Sequence, residues 1–210
     1  VKRLDELSPP DFEKSLVAAT LLSFPYSVST QRDMPMAQSF SPKVASVLIL
    51  FGYPGPCILY TRRTESVETH KGQMAFPGGH SEPHELDLDG AAITALRETE
   101  EEVGIPREKI RVRGQLPPLV TPTGFLIRPI VGILAVPIED VILELDEAET
   151  AEAIWIPLTT LLGPGTYRRE FYPVGKLKFP IDVYQVNQHR IWGATGSMTK
   201  NLLDRLEALG

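Results

Sequence analysis

The chain has 210 residues, 42% of them apolar and 23% charged, and a formal net charge of −6. That size and balance fit one soluble globular domain with room for a sizeable core, and no apolar run is long enough to cross a bilayer. The negative balance argues against non-specific nucleic-acid binding, which needs a basic face, but not against a small phosphate-bearing substrate met through bound cations.

The single cysteine, Cys57, lies in the apolar run CILY and reads as a buried strand residue in a reducing compartment, the cytoplasm. The first residues, VKRLDELSPP, hold no apolar signal core, so secretion is not expected. The sequence begins without Met, which leaves open an organelle-targeting segment removed ahead of Val1.

In chain order, Ser8 before Pro9, with Asp11 in the first turn, marks a helix running to about Leu22. The Pro-, Ser- and Gln-rich FPYSVSTQRDMPMAQSFSP follows as an extended linker. Helix and linker together, residues 1–43, are expected to stand apart from a domain over residues 44–210. Such an arm could exchange between the subunits of a homodimer or fold over the site. VASVLILF and CILYTRR are β-favouring runs around the turn GYPGP, the pattern of a hairpin. GQMAF is a further short strand closed by PGG. The acidic loop HSEPHELDLD then leads into a helix from about Gly90 to Val103, stopped by Gly104 and Pro106.

IRVRGQL, FLIRPIVGILAV and EFYPVGKLKFPIDVYQV read as strands, with a short helical piece near Ile156–Leu162. The acidic run DEAETAE reads as a solvated surface, and Trp155 and Trp192 as core residues. At the end, TGSMTKNLLDRLEAL has Thr195 as a cap and Met198, Leu202, Leu206 and Leu209 at helical spacing. Hairpins mixed with separated helices predict an α/β (α+β) layered sandwich rather than a doubly wound parallel sheet.

One stretch conflicts with helix electrostatics. RETEEEVG, Arg97 to Gly104, holds Glu98, Glu100, Glu101 and Glu102 at a helix C-terminus. On a wheel of about 100° per residue, Ala92, Ala95, Leu96, Thr99 and Val103 form the core stripe. Glu98, Glu101 and Glu102 share an adjoining arc, and Glu100 points elsewhere. Like charges at i+3 and i+4 cost roughly a few tenths of a kcal/mol each, and the helix end is itself negative. Arg97 offsets part of this through Glu100 and Glu101, but one cation does not neutralise four anions. The residues therefore allow two readings: a solvated face, or oxygen ligands for a hard divalent cation such as Mg²⁺ or Mn²⁺.

The same residues resemble the Nudix hydrolases, whose signature is Gly, five residues, Glu, seven residues, then Arg-Glu-U-x-Glu-Glu-x-Gly-U, with U aliphatic. Arg97 to Ile105 fit its second half, with Thr99 at an aliphatic position. Counting back from Arg97, the Glu position holds Asp89 and the Gly position holds Pro83, while Gly78-Gly79 lies four residues early. An inserted stretch is implied, and Glu82, Glu85, Asp87 and Asp89 are all candidates for the missing acid. Upstream, LYTRRTESVETHKGQMAFPGG is similar to the motif before this box in coenzyme A pyrophosphatases, with Thr61, Arg63, Gly72 and Phe76-Pro77-Gly78-Gly79 at its spacing. Glu68 stands where that motif has its central arginine. TPTGFLIRPIVG, FPIDVY and HRIWGATG also resemble the subfamily.

The resemblance implies an α/β/α sandwich with a mixed central sheet and metal-dependent hydrolysis of a pyrophosphate linkage. The substrate it implies is coenzyme A or a derivative, giving 3′,5′-ADP and 4′-phosphopantetheine. It implies Mg²⁺ or Mn²⁺ on Glu98, Glu101 and Glu102, and Arg97 orienting a glutamate. It also places the general base among Glu98, Glu149 and Glu152. Arg63, His70, Lys71, Phe76, Gly78 and Gly79 are the expected substrate contacts, with Arg128, Arg168 and Arg169 as secondary ones, whereas His189 reads as structural. Two other functions stay open. One is hydrolysis of another nucleoside diphosphate derivative, such as ADP-ribose or a nucleotide sugar, which Glu68 favours. The other is a non-catalytic nucleotide-sensing module, against which the complete carboxylate set argues.

Overall fold

The computed structural model describes residues 8–21, 43–65, 71–174 and 177–209. The linker after the first helix, with His70 and Glu68, lies outside the described residues. Ser8 starts α1 (Pro9–Leu21), its hydroxyl accepting from the Asp11 amide at 3.4 Å. The hairpin expected around GYPGP is formed by β1 (Lys43–Gly52) and β2 (Cys57–Arg63), paired Phe51 to Ile58.

The strand β1 organises the molecule. It runs parallel to β7 (Phe125–Leu134) and antiparallel to β2, so the sheet is mixed. Its side chains alternate with period two: Leu48 and Leu50 face one core, Ile49 and Phe51 the other, and all four are fully buried. The sheet is completed by β3 (Met74–Ala75), β4 (Gly78–His80), β5 (Ile110–Gln115), β6 (Leu119–Val120) and β8 (Thr150–Pro157).

Against the Leu48 face packs α2 (Leu88–Val103), through Ala91, Ala95 and Val103. Against the Ile49 face pack α1 and α4 (Gly193–Glu207), together with a small antiparallel sheet of β9 (Tyr167–Val174), β10 (Leu177–Val186) and β11 (His189–Ile191). The short α3 (Leu158–Leu161) closes that side. The outcome is the expected α/β/α sandwich with a mixed sheet.

Several local expectations change. PGG is not a turn that ends a strand but the start of β4, which pairs with β1. The acidic run leads into β8, and helix begins only at Leu158 rather than Ile156. The long apolar stretch at 170–186 divides into β9 and β10, paired back to back from Tyr167 with Tyr184. Thr195 is buried inside the first turn of α4, whose cap residue is Trp192. That residue lies against Tyr172 and Arg190, whereas Trp155 packs on the α2 core. Finally, α1 is part of the main core: Phe12, Leu16 and Ala19 are fully buried there, beside Leu202 and Leu206 of α4. Among the described residues no helix is long and apolar enough to cross a membrane.

Candidate active site

The N-terminal end of α2 is capped by Asp87, whose carboxylate accepts from the Gly90 amide at 2.6 Å. Gly90 is needed because a Cβ there would lie 2.4 Å from the Glu85 backbone, which folds tightly over the first turn. The loop thereby drives Glu85 beneath the helix, with only 2% exposed. Its carboxylate accepts from the Glu82 amide at 3.0 Å, the Thr94 hydroxyl at 2.9 Å and Arg97 Nη2 at 3.3 Å. Burial pushes this carboxyl up, but the Glu82 amide, the Arg97 guanidinium and the Thr94 hydroxyl outweigh it and hold the pKa at about 2.

Of the four acids considered upstream, Glu85 is thus the one joined to Arg97. Asp87 caps the helix, while Glu82 and Asp89 are exposed. The signal was present in the sequence: Gly79, five residues, Glu85 satisfies the signature when counted forward from the glycine. The insertion therefore falls between Glu85 and Arg97, where eleven residues replace seven.

Arg97 is the hub of the site. Besides Glu85 it donates to Glu98 at 2.8 Å, to Glu101 at 3.1 Å and to the His80 carbonyl at 3.3 Å. Glu100 is turned away and taken by Arg107 at 2.7 Å. Thr99, the polar residue at an aliphatic position, is fully buried, and its hydroxyl donates to the Ala95 carbonyl at 2.7 Å. That bond satisfies the one group that makes Thr differ from an apolar side chain here.

The electrostatic problem at the end of α2 is met by backbone amides. Gly104, in the left-handed region at φ 71°, donates to the Glu100 carbonyl at 3.0 Å. The amides of Asp146 and Glu144 donate to the carbonyls of Glu102 and Val103, each at 3.1 Å. The same docked segment continues to Glu149, whose carbonyl accepts from the Thr64 amide at 2.9 Å.

Glu102 lies on the buried stripe of α2. Its carboxylate is 3.4 Å from the Gly78 amide and 3.9 Å from Arg63 Nη1, and Arg63 Nη2 is also 3.9 Å from Glu149. Burial raises the Glu102 pKa to about 8; Arg63 and the Gly78 amide pull it down, while Glu98 and Glu149 push it further up. Glu98 is likewise raised by burial, against Arg97, with Glu101 and Glu149 adding to the rise. Gly79 makes room for Glu98, and Gly78 for the close approach of β1. A Cβ on Gly79 would lie 2.4 Å from the Glu98 carboxyl carbon, and one on Gly78 2.4 Å from the Ser46 carbonyl oxygen.

Other expected site residues are placed elsewhere. In β2, Arg62 and Arg63 point to opposite faces of the sheet, as successive strand residues do. Glu152 is Arg62's partner across the strands, bonded to it at 3.0 Å and 3.4 Å from the buried His189. Glu152 is therefore on the α4 side, apart from the acids of α2, and Glu149 takes the place on the α2 side. Phe76 is buried and stacked on Tyr60 at 4.8 Å, and Lys71 is exposed. Arg168 pairs with Glu170 and Arg169 with Asp182 on the small sheet.

Among the described residues no three His, Cys, Asp or Glu side chains are already gathered as a metal site. The donor chemistry nevertheless fits a hard divalent cation. Glu98 and Glu102 offer carboxylate oxygens whose ionisation is made costly by burial and by neighbouring acids, Glu149 among them, and the cation beside Glu102, Arg63, is at long range.

A hub arginine and paired glutamates on one helix, beside a double glycine, define the Nudix class, and the NUDIX domain family matches residues 41–174. The chain belongs to the Nudix family and is a pyrophosphohydrolase of it. It is similar to the uncharacterized Nudix hydrolase NudL of Photorhabdus laumondii, 35% identical over 174 residues, covering 82% of this chain and 90% of that protein. The NudL of Yersinia enterocolitica is 35% identical over 188 residues, 89% of this chain and 93% of that one. Among solved structures, a MutT/nudix family protein from Enterococcus faecalis shares the fold with a TM-score of 0.50 at 15% identity, over 96% of this chain and 75% of that one.

Proposed function

We propose that this enzyme hydrolyses the pyrophosphate linkage of coenzyme A or its derivatives, releasing 3′,5′-ADP and 4′-phosphopantetheine, with Mg²⁺ or Mn²⁺ bound. The observation that carries the reaction type is the half-buried Glu98 and the buried Glu102 beside Gly78-Gly79, whose carboxyls are made costly to ionise by burial and by neighbouring acids, Glu149 among them. The substrate rests on the THKGQMAFPGG, FPIDVY and HRIWGATG stretches. A second reading, another nucleoside diphosphate derivative such as ADP-ribose or a nucleotide sugar, is favoured by Glu68 in place of the motif's arginine.

Glu98 and Glu102 would hold the cation, with Glu101 as a third ligand by family resemblance. When bound, it supplies neutralisation of phosphate-oxygen charge and a lowered pKa for the attacking water. Arg97 fixes Glu98 from one side and is itself fixed by Glu85. The glycine pair lets backbone approach an anionic group without a Cβ between them. Arg63, between Glu102 and Glu149, is positioned to exchange those long contacts for a substrate phosphate. We assign the general base to Glu149, which is half exposed and not tied to Arg97.

The test is a substrate panel of coenzyme A, ADP-ribose, UDP-glucose and diadenosine polyphosphates with Mg²⁺ or Mn²⁺, products being identified by chromatography. Coenzyme A should be cleaved, and Glu102→Gln should remove turnover while the protein stays folded. Cleavage of ADP-ribose or UDP-glucose with coenzyme A intact would select the second reading.

A further inference from the structure

The insertion ahead of Arg97 creates a mechanical difficulty. The insertion puts more than two turns of α2, besides the two-residue joint Leu86–Asp87, between Glu85 and Arg97, yet Glu85 has to stay beneath Arg97 to hold it. A residue outside the carboxylate set meets this difficulty. Arg128, in the middle of β7, extends a guanidinium whose Nη1 donates to two successive carbonyls, Leu86 at 2.6 Å and Asp87 at 2.8 Å. These are the residues directly after Glu85, and Asp87 is the helix cap. Charge-assisted bonds of this length are the strong ones, and they come from a rigid interior strand whose Cα partner in β1 is Ser46. Gly90 shows how tightly the loop is drawn in, since no Cβ fits between it and the Glu85 backbone.

We propose that Arg128 is a positioning residue for the reaction: it ties the joint Leu86–Asp87 to the sheet and so keeps Glu85 under Arg97, and Arg97 against Glu98. It acts through backbone carbonyls and does not itself meet the metal or the substrate. The guanidinium expected from the sequence as a secondary phosphate contact is engaged instead by these two carbonyls. The proposal rests on the reading of Glu98 as a metal ligand, and its test separates the two.

Mn²⁺ binding to the full chain is followed by electron paramagnetic resonance for the wild type, Arg128→Ala and Arg128→Lys. Amide hydrogen exchange is followed in the same three proteins. Partners that orient metal ligands are worth about 10–100-fold in affinity, so Arg128→Ala should weaken Mn²⁺ about tenfold, and Arg128→Lys, which keeps a cationic donor, should recover part of the loss. Exchange should quicken at the amides of Arg97 and Glu98 but not in β1 or α4. Unchanged Mn²⁺ affinity in Arg128→Ala would overturn the assignment. So would loss accompanied by faster exchange throughout the molecule, which is mere destabilisation. If the wild type bound no Mn²⁺, the metal reading would fall by itself. Exchange would then decide: local quickening at Arg97 and Glu98 supports the Arg128 assignment, and unaltered exchange overturns it.

Discussion

Glu85 carries no charge into the reaction, yet more of the site depends on it than on any acid that does. Three donors hold its carboxyl at about 2 in spite of burial. Because this folded-state value is below the unfolded one of about 4.3, the group stabilises the fold at neutral pH. That contribution is lost as pH falls from about 4.3 through about 2. Replacing Glu85 with Gln should therefore flatten the dependence of the urea midpoint on pH across that window, and the two proteins should converge at its acid end. At neutral pH the substitution removes one of Arg97's three carboxylate partners, and the gap between the two pKa values corresponds to a loss of about 3 kcal/mol, measurable in the same titration. Parallel curves for the two proteins would show that Glu85 ionises no more easily in the fold than outside it.

At the scale of the element, the backbone groups at both ends of α2 are bonded, by a side chain in front and by amides behind, which is why it can carry its acids where a free helix would not. Asp87 closes the front, while Gly104 and the amides of Glu144 and Asp146 close the back. The face between them is set by β4, whose Gly79 admits the Glu98 carboxylate. Gly79→Ala puts a methyl group into the space of the Glu98 carboxyl, a flexible side-chain end that yields more readily than backbone. The expected result is a loss of Mn²⁺ affinity of about 10–100-fold with a melting temperature close to that of the wild type. Retained affinity would mean that Glu98 has room to spare.

Much of α2 was legible in the sequence, because RETEEEVG fixes charge, spacing and stop within eight residues. Glu85 was not, because the count from Arg97 crosses the insertion whereas the count from Gly79 does not. The strand β8 was hidden by its own acids: Glu152 alternates with apolar residues, but next to DEAET the run looks like solvated surface. Nor does any local pattern reveal which of the two faces Arg62 and Arg63 each take, since that is set by the elements packed on either side of β2. Nothing in a helix of modest amphipathicity announced that α1 belongs to the core, where its depth is set by contacts far along the chain.

For the whole molecule, a single strand feeding two cores makes the sandwich one cooperative unit. Leu48 and Ile49 are neighbours in sequence but lie in different cores. The helix α1 shares the Ile49 core, with Thr20 so close to β5 that a Cβ on Gly114 would lie 2.5 Å from its hydroxyl oxygen. Leu16→Ala should accordingly destabilise the entire protein by about 2–5 kcal/mol, with far-ultraviolet dichroism and tryptophan fluorescence changing together. If residues 1–43 were instead a separate arm, the unfolding midpoint would not move. On the α4 side, Arg62, Glu152 and His189 join the small sheet to the main one, so that β8, β2 and β11 meet in one polar contact.

The added length ahead of Arg97, most of that stretch being helical, also bears on how such a chain can change over time. Four added residues carry a helix through about 400°, one turn and a remainder of about 40°, so Arg97 returns nearly to the bearing it had before. Two added residues would swing it by about 200°, toward solvent, and strand Glu85 below. Length drift at this position is therefore quantised: descendants can gain or shed a whole turn ahead of Arg97 and stay active, whereas half-turn variants lose the hub.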